Sequence, residues 1–232
     1  MRLWYRSCRF LYRVYFRLYH RGRVYNAKRL PDEGGFILAA NHVSFLDPPL
    51  LGQACKREAF FMARDTLFRN WLAGWILRSW NCVPIKREGS DIGAMRTALR
   101  LLGEGKAVLM FPEGTRSSDG QLQEARAGIG MIVARSGAKV MPMRIFGSER
   151  ALPRGKKLPR PVQLIVKFGE PFAYPLPSDF DQLRGDALKT VYQEIGREIM
   201  QRIAALEPYP DPLVGFPVDG QKGLAKKADR LL

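Results

Sequence analysis

His42 and Asp47 are the residues of this sequence whose types and spacing could support acid–base chemistry. They lie in the segment Asn-His-Val-Ser-Phe-Leu-Asp-Pro, residues 41–48. On a continuous helix they would lie about 140° apart and could not touch. Pro48 disfavours helical geometry at Asp47, so a turn could bring the carboxylate back to the imidazole, which could then deprotonate an alcohol. A capping histidine and an unrelated turn aspartate would show the same spacing, so both interpretations stay open.

A second group of residues has the chemistry of an anion site. Residues 113–117 read Glu-Gly-Thr-Arg-Ser and directly follow the segment Phe-Pro. A backbone turn at a glycine, beside hydroxyls and an arginine, suits a phosphate. Lys86 and Arg87 follow another short apolar segment and could supply a second cationic arm. Basic pairs of this kind also occur on solvated surfaces, so neither signal is specific alone.

The patterning of apolar residues predicts the elements that hold these side chains. Buried strands are expected immediately before His42, Lys86 and Glu113. Strands and helices alternate along most of the chain, which predicts an α/β fold with a mostly parallel or mixed sheet flanked by helices. A long amphipathic helix is expected to begin after Ser178 and to end near Leu206. Because active sites gather at the carboxyl ends of such strands, the three groups are expected to share one edge.

Three segments are expected in the domain organisation: an N-terminal helix over residues 1–24, an α/β domain over 25–207, and an irregular tail over 208–232. The basic residues of the first segment recur at steps of three and four, on one helical stripe: Arg2, Arg6, Arg9, Arg13, Arg17 and His20. The remaining surface is apolar or aromatic and includes Trp4. This pattern predicts an amphipathic helix at a membrane surface, with arginines reaching lipid phosphates. A helix packed on the domain, with its arginines in solvent, is the alternative.

The composition restricts the classes of function. With 38 Lys and Arg against 22 Asp and Glu, the formal net charge of +16 favours an anionic partner. No RNA-binding signature is present, so a lipid or a phosphorylated substrate is favoured over nucleic acid. The three cysteines and two histidines show no metal-ligand spacing, so no bound metal is expected. No cofactor is expected either. The sequence has no serine-nucleophile elbow or nucleotide fingerprint, which favours direct transfer without a covalent intermediate.

Four blocks, in order, resemble the 1-acylglycerol-3-phosphate acyltransferase family of glycerolipid acyltransferases. They are residues 41–48, 83–87, 111–117 and 140–143, and the first (HxxxxD) and third (FPEGTRS) are the specific ones. The resemblance implies a glycerol-3-phosphate acyltransferase-like fold, with His42 as general base and Asp47 as its partner. It also implies phosphate recognition by a larger set: Arg87, Glu113, Gly114, Thr115 and Arg116, with Lys86 as a neighbour. This sequence departs from the family at Asn81-Cys82, where a glycine is usual, and at Arg126, where a lysine is common.

The resemblance implies a lysophospholipid acyltransferase of phospholipid biosynthesis. Such an enzyme moves a fatty acyl group from acyl-CoA or acyl-carrier protein to the hydroxyl of 1-acylglycerol-3-phosphate and gives phosphatidate. The expected location is the cytoplasmic face of a membrane, as a peripheral protein on an anionic surface. A related acyltransferase with another acceptor, such as a lyso-ornithine lipid or another lysophospholipid, is an alternative. A basic membrane-binding protein without catalysis would explain the N-terminal helix but not the ordered blocks.

Overall fold

A seven-stranded sheet runs through the protein. The computed structural model describes residues 3–85 and 92–210. Its strands lie in the order β1-β7-β6-β2-β5-β3-β4. Their bounds are β1 Arg23–Tyr25, β2 Phe36–Ala40, β3 Ala59–Arg64, β4 Cys82–Ile85, β5 Ala107–Met110, β6 Lys139–Phe146 and β7 Ile165–Phe168. The pairing of β6 with β7 is antiparallel, and the pairings of β1–β7, β2–β5, β2–β6, β3–β4 and β3–β5 are parallel. The predicted mixed sheet is confirmed.

Helices cover both faces of this sheet. They are α1 Leu3–Tyr19, α2 Asp47–Ala54, α3 Trp71–Ser79, α4 Ile92–Gly103, α5 Ala127–Ser136, α6 Ser148–Ala151 and α7 Gly185–Ala204. One predicted boundary is wrong: the last helix begins at Gly185, because a separate short 3-10 helix, Phe180–Gln182, follows Ser178. Phe180 and Leu183 pack against the core from this separate turn, and the ring of Phe180 contacts that of Tyr192, so the segment before Gly185 meets the core without continuing the helix.

Strand β2 is buried on both faces and divides the core in two. Phe36, Leu38 and Ala40 pack in one cluster with residues of α1 and α2. Ile37 and Ala39 pack in the other with α5 and α7. Alternate side chains of a strand point to opposite faces, so an uninterrupted apolar run such as this one is suited to the centre of a sheet. The strand that precedes His42 is therefore enclosed by the hydrophobic core.

Strand β1 was not predicted from the sequence. Its three residues pair in parallel with Ile165–Lys167 at the edge of the sheet. Three residues are too few for a recognisable alternation of apolar and polar side chains. The strand crosses the expected boundary between residues 24 and 25. It ties the segment that follows α1 directly to the sheet, so α1 is joined to the α/β domain by a strand.

The register of the central strands brings distant parts of the sequence together. Ala39 lies opposite Met110 of β5 and opposite Pro142 of β6, in parallel pairings. The loops that leave β2 and β5 therefore begin side by side. Strand β6 leads into α6 at the same end, because it runs parallel to β2. The carboxyl ends of three neighbouring strands thus meet at one edge, the usual position of a site in such a sheet.

Candidate active site

His42 and Asp47 are in direct contact at this edge. The Nδ1 atom of His42 lies 2.9 Å from Oδ2 of Asp47, whose side chain is fully buried. The expected turn precedes Asp47, which is itself the first residue of α2. Proline is tolerated in the first turn of a helix because its missing N–H would have no partner there, so Pro48 continues the helix that Asp47 begins. Asp47 is expected from the sequence to lie outside a helix, whereas the structure makes it the first residue of α2 and places the turn before it.

Four donors hold the carboxylate of Asp47. The backbone N–H groups of Val43 and Ser44 each donate to Oδ2 at 2.7 Å, beside Nδ1 of His42. The hydroxyl of Ser148 donates to Oδ1 at 2.6 Å. This buried, fully hydrogen-bonded arrangement suits the ionised carboxylate and fixes the direction in which it faces His42. Ser148 was missed by the sequence analysis, because it lies 101 residues away at the start of α6 and no local pattern marks it.

The imidazole of His42 is held on several sides. Its ring stacks on Phe111, with centroids 3.9 Å apart and planes inclined by 15°. Its backbone N–H donates to Oε2 of Glu113 at 3.1 Å, and its carbonyl accepts from the N–H of Ser117 at 2.8 Å. The first and third sequence blocks are therefore joined through the backbone of His42 itself. With Nδ1–H donated to Asp47, the neutral ring carries its lone pair on Nε2, as a general base requires.

Glu113 has a different place from the one expected. Its side chain is 2% exposed, and its oxygens accept from the N–H groups of His42 and Gln123. Burial raises the pKa of this carboxyl from 4.5 to about 7, although the two backbone donors oppose the rise; the charge of Asp47 adds to it. The expectation that Glu113 binds the acceptor phosphate is corrected, because its oxygens are turned inward to loop N–H groups that would otherwise lack partners.

Gly114, Thr115 and Arg116 form the outer part of the same loop. Gly114 has a φ of +68°, and a Cβ added there would come within 2.6 Å of the side chain of Arg126, so the turn requires glycine. Thr115 is exposed, and the guanidinium of Arg116 lies 3.6 Å from the ring centroid of Phe45. These two side chains lie at the surface near His42, as a phosphate site would need.

Two further arginines act electrostatically on Arg116. Burial, Arg154 and Arg64 lower the pKa of its guanidinium, while Asp47 opposes the change. Arg64 is the last residue of β3, and Arg154 follows α6, so sequence spacing alone could not bring them together. Lys86 and Arg87, expected to extend the phosphate site, lie outside the described residues, directly after β4. Strand β4 pairs in parallel with β3, so its carboxyl end is next to Arg64.

The arginine stripe of α1 is divided between two surroundings. Arg9 donates to the carbonyls of Cys55 and Lys56 at 2.8 and 2.9 Å, and Arg13 donates to that of Gln53 at 2.8 Å. These carbonyls lie at the C-terminal end of α2, where helical partners are missing and a cation is favoured. The expected single stripe facing lipid is therefore wrong for Arg9 and Arg13.

The other basic residues of the stripe have different positions. His20 is buried and bonded to Tyr15 and to the carbonyl of Val162. Arg6 and Arg17 are exposed. Arg2 lies outside the described residues. The cations of α1 that remain available to a membrane in the described helix are therefore Arg6 and Arg17.

The outer surfaces of α1 and α3 form an exposed apolar face. The rings of Trp4 and Trp75 lie 4.9 Å apart and join the two helices. The face comprises Leu3, Trp4, Phe10, Leu11, Val14 and Leu18 of α1, and Trp71, Leu72, Trp75 and Ile76 of α3. Trp71 is 80% exposed. Across residues 3–85 and 92–210, no helix combines the length and the hydropathy that crossing a bilayer requires.

Residues 21–146 match the model of the Acyltransferase family. The chain is 32% identical over 126 residues to a chloroplast 1-acyl-sn-glycerol-3-phosphate acyltransferase of Brassica napus, a match covering 52% of this chain and 36% of that relative. It thus spans about a third of that relative's length. A 1-acyl-sn-glycerol-3-phosphate acyltransferase of Bacillus subtilis is 29% identical over 192 residues, which is 82% of this chain and 90% of that protein. The crystal structure of the 1-acyl-sn-glycerophosphate acyltransferase PlsC from Thermotoga maritima superposes with a TM-score of 0.65 at 26% identity, covering 87% of this chain and 81% of that one.

Proposed function

Because this chain belongs to the acyltransferase family, we propose that it transfers a fatty acyl group from a thioester donor to the hydroxyl of 1-acylglycerol-3-phosphate. The observation that carries the proposal is the contact of His42 Nδ1 with the buried carboxylate of Asp47, which leaves Nε2 as a base. Arg116 and Thr115 lie on the loop that holds the backbone of His42. The named activities of the Brassica, Bacillus and Thermotoga relatives support this acceptor.

The proposed reaction is a direct transfer in two proton steps. Nε2 of His42 takes the proton of the acceptor hydroxyl as its oxygen attacks the thioester carbonyl. The C–S bond then breaks, and the departing thiolate receives the proton from the imidazolium. The anionic carboxylate of Asp47 stabilises that imidazolium and keeps Nδ1 protonated throughout. The scheme needs no metal, no cofactor and no covalent enzyme intermediate; acyl-CoA or acyl-carrier protein serves as the acyl donor.

The acceptor phosphate is proposed to bind on the cationic side of this site. Arg116 offers a planar set of donors suited to phosphate oxygens, and Thr115 adds a hydroxyl. Arg64 and Arg154 are close enough to act on the charge of Arg116, so they raise the local positive potential. Lys86 and Arg87 are proposed to complete the site from the end of β4. Glu113 serves as a support for the His42 loop, since its oxygens are occupied by backbone donors.

The exposed face of α1 and α3 is proposed to rest on the cytoplasmic side of a membrane. Both acyl substrates are hydrophobic, so an enzyme that binds them gains from lying where they are dissolved. Exposed tryptophans and leucines, with cations at the edge, are typical of helices that lie in the headgroup region. Trp4, Arg6 and Arg17 keep their proposed membrane role, whereas Arg9 and Arg13 are assigned to the end of α2.

Acyl transfer by His42 variants tests the proposed chemistry. His42→Ala removes the base, and His42→Asn keeps an amide donor near Asp47 but also lacks a base at Nε2. Both are expected to lower turnover of lysophosphatidate with oleoyl-CoA by at least about 1000-fold. Circular dichroism and vesicle binding check that both variants fold. Undiminished turnover by either variant would disprove the mechanism.

A panel of acceptors and donors tests the rest of the assignment. Lysophosphatidate, other lysophospholipids and a phosphate-free lyso-ornithine lipid are each offered with oleoyl-CoA and with oleoyl-carrier protein. Arg116→Ala is expected to raise KM for lysophosphatidate by about 10-fold or more, because it removes a charge-assisted contact. Preferred turnover of the phosphate-free acceptor, unaffected by this substitution, would assign the enzyme to a different lysolipid.

A further inference from the structure

The segment that links α6 to β7 carries an exposed group of cations. Residues 153–160, named here the basic loop, read Pro-Arg-Gly-Lys-Lys-Leu-Pro-Arg. No acidic residue occurs in the sequence between Glu149 and Glu170. The side chains of the loop's cations are exposed, and none forms an ion pair with a carboxylate of the described residues: Arg154, Lys156, Lys157 and Arg160. The loop therefore presents a concentrated positive charge that the described part of the chain does not neutralise.

Backbone contacts give this loop a defined position. The N–H of Lys156 donates to the carbonyl of Pro153 at 3.1 Å, in a turn where Gly155 has a φ of +84°. The N–H of Arg160 donates to the carbonyl of Ala151 at 2.7 Å and closes the loop. The turn holds Lys156 and Lys157 on the outside of the protein. The exposed cations therefore lie on a loop whose backbone is fixed by hydrogen bonds and which follows α6 directly.

The basic loop is attached to the two regions that matter for the proposed function. The hydroxyl of Tyr19, the last residue of α1, donates to the carbonyl of Pro159 at 2.9 Å. The hydroxyl of Ser44, in the loop between His42 and Asp47, donates to the carbonyl of Leu152 at 3.1 Å. One end of the segment therefore reaches the helix with the exposed apolar face, and the other reaches the loop between His42 and Asp47.

Leu158 distinguishes this loop from an ordinary charged surface. Its side chain is 81% exposed, between Lys157 and Arg160 in the turn of the chain. Leu18 of α1 is 77% exposed and precedes Tyr19, whose hydroxyl bonds to Pro159, so an exposed leucine precedes each residue of this contact in the chain. An apolar tip surrounded by cations matches the layered chemistry of a bilayer surface, with phosphates outside and hydrocarbon beneath.

We propose that the basic loop binds the anionic phospholipids of a membrane, with Leu158 inserted among the headgroups and its cations on lipid phosphates. This proposal rests on the proposed membrane location of the enzyme and adds its lipid preference. Binding of this loop would bring the loop between His42 and Asp47, which Ser44 ties to Leu152, toward the surface that holds the acceptor. An acidic carrier protein would also complement the charge. The exposed Leu158 and the bond that ties the loop to α1 favour the bilayer.

Vesicle binding by charge-reversal variants tests the proposal. The test variant carries Lys156→Glu, Lys157→Glu and Arg160→Glu, and leaves Arg154 unchanged because it lies close to the phosphate site. The matched control carries Lys106→Glu, Arg135→Glu and Lys139→Glu; Lys106 and Lys139 are at the amino ends of β5 and β6, on the opposite edge of the sheet. Both variants change the net charge equally. Sedimentation with phosphatidylcholine vesicles, with and without about 30% phosphatidylglycerol, measures binding.

The test variant is expected to bind the anionic vesicles about 100-fold more weakly, and the control variant less than about threefold more weakly. Leu158→Ser is expected to weaken binding to both kinds of vesicle by about threefold to tenfold. Equal losses by the test and control triples, or no loss by either, would overturn the proposal. Normal vesicle binding with turnover lost only for the carrier-protein donor would overturn it as well and assign the loop to that protein.

Activity without a membrane separates this proposal from the proposed function. A short-chain lysophosphatidate, used below its aggregation concentration and with oleoyl-CoA, is expected to be turned over equally by the test variant and the unmodified protein. Absence of turnover by the unmodified protein on every acceptor would refute the proposed function, while the vesicle result would still decide the loop. Unmodified protein that binds no vesicle would overturn the loop proposal whatever its turnover.

Discussion

The His42–Asp47 pair and the exposed face of α1 and α3 have opposite physical characters. Asp47 is fully buried, and four donors of known position hold its carboxylate. On the exposed face, Trp71 and its apolar neighbours project from the folded chain, and the contact of Trp4 with Trp75 joins the two helices. The proposed role of the pair in catalysis depends on fixed distances between a few atoms, whereas the proposed role of the face in membrane binding depends on total apolar area. One substitution is therefore expected to disable the pair, and several are needed to disable the face.

The largest effect is expected from Asp47→Asn. The amide no longer stabilises the imidazolium and allows the wrong tautomer of His42, so kcat/KM is expected to fall by about 1000-fold or more. Initial rates of acyl transfer measure the loss. Asp119 is an exposed carboxylate that accepts from the hydroxyl of Ser117, and Asp119→Asn is the matched control. Its kcat/KM is expected to stay within a few-fold of that of the unmodified protein. If kcat/KM of Asp47→Asn stays within tenfold of that of the unmodified protein, the buried pair is not essential, and the expected contrast with the exposed face is wrong.

A smaller effect is expected from the double substitution Trp71→Ser and Trp75→Ser. Loss of two exposed indoles is expected to weaken binding to phosphatidylcholine vesicles by about 30-fold, equivalent to about 2 kcal/mol. Turnover of a monomeric short-chain acceptor is expected to be unchanged, because both side chains are exposed on the outer surface of α3. Leu176→Ser provides a control in an exposed segment after β7. Vesicle binding that stays within twofold would show that the α3 side of the face is not in contact with lipid.

Ser148→Ala is expected to lower kcat by about tenfold with KM nearly unchanged. The hydroxyl does not reach the substrate, but its bond to Oδ1 fixes the carboxylate that orients His42, and a hydrogen bond to a charged group contributes about 1.5 kcal/mol. Ser148→Thr keeps the donor and is expected to restore most of the rate. Steady-state kinetics of both variants measure the difference. Equal losses with alanine and threonine would indicate a packing role, and the fixed geometry of the pair would then need another source.

The smallest effect is expected in the pH dependence of stability. The pKa of Glu113 is raised to about 7 in the folded protein, so the folded state binds the proton more tightly than the unfolded state. Its contribution to the free energy of unfolding is complete below the unfolded pKa and is lost as the pH rises through about 7. Between about pH 6 and about pH 8 the loss is about 1 kcal/mol.

Glu113→Gln tests this dependence because glutamine does not titrate. Urea unfolding across that pH range is expected to show a shallower decline for the variant, by about 1 kcal/mol in total. Any constant difference in stability between the two proteins does not affect this slope. Equal slopes would show that the carboxyl of Glu113 is ionised in the folded protein, as an acid facing solvent would be. Water would then reach the carboxyl of Glu113 more readily than its buried position indicates.

Much of the candidate site could be predicted because its residues lie in two short segments of the sequence. His42 and Asp47 lie within one block, and Glu113 to Arg116 lie within another, each after a strand with a clear apolar run. The strands could be predicted for the same reason, since buried central strands have a strong local signal. The bounds of α7 and the existence of β1 could not, because both depend on contacts with distant elements.

The sequence by itself determined which residues are candidates for the chemistry, the class of fold and the excess of positive charge. Those properties depend on residue type and on spacing along the chain, which the sequence contains in full. Tertiary structure alone decided that Ser148 supports Asp47, that Glu113 turns inward to the backbone of His42, and that Arg9 and Arg13 cap α2. Each of these contacts joins residues 40 or more positions apart. Contacts at such separations depend on how whole helices and strands pack together, so no local sequence pattern predicts them.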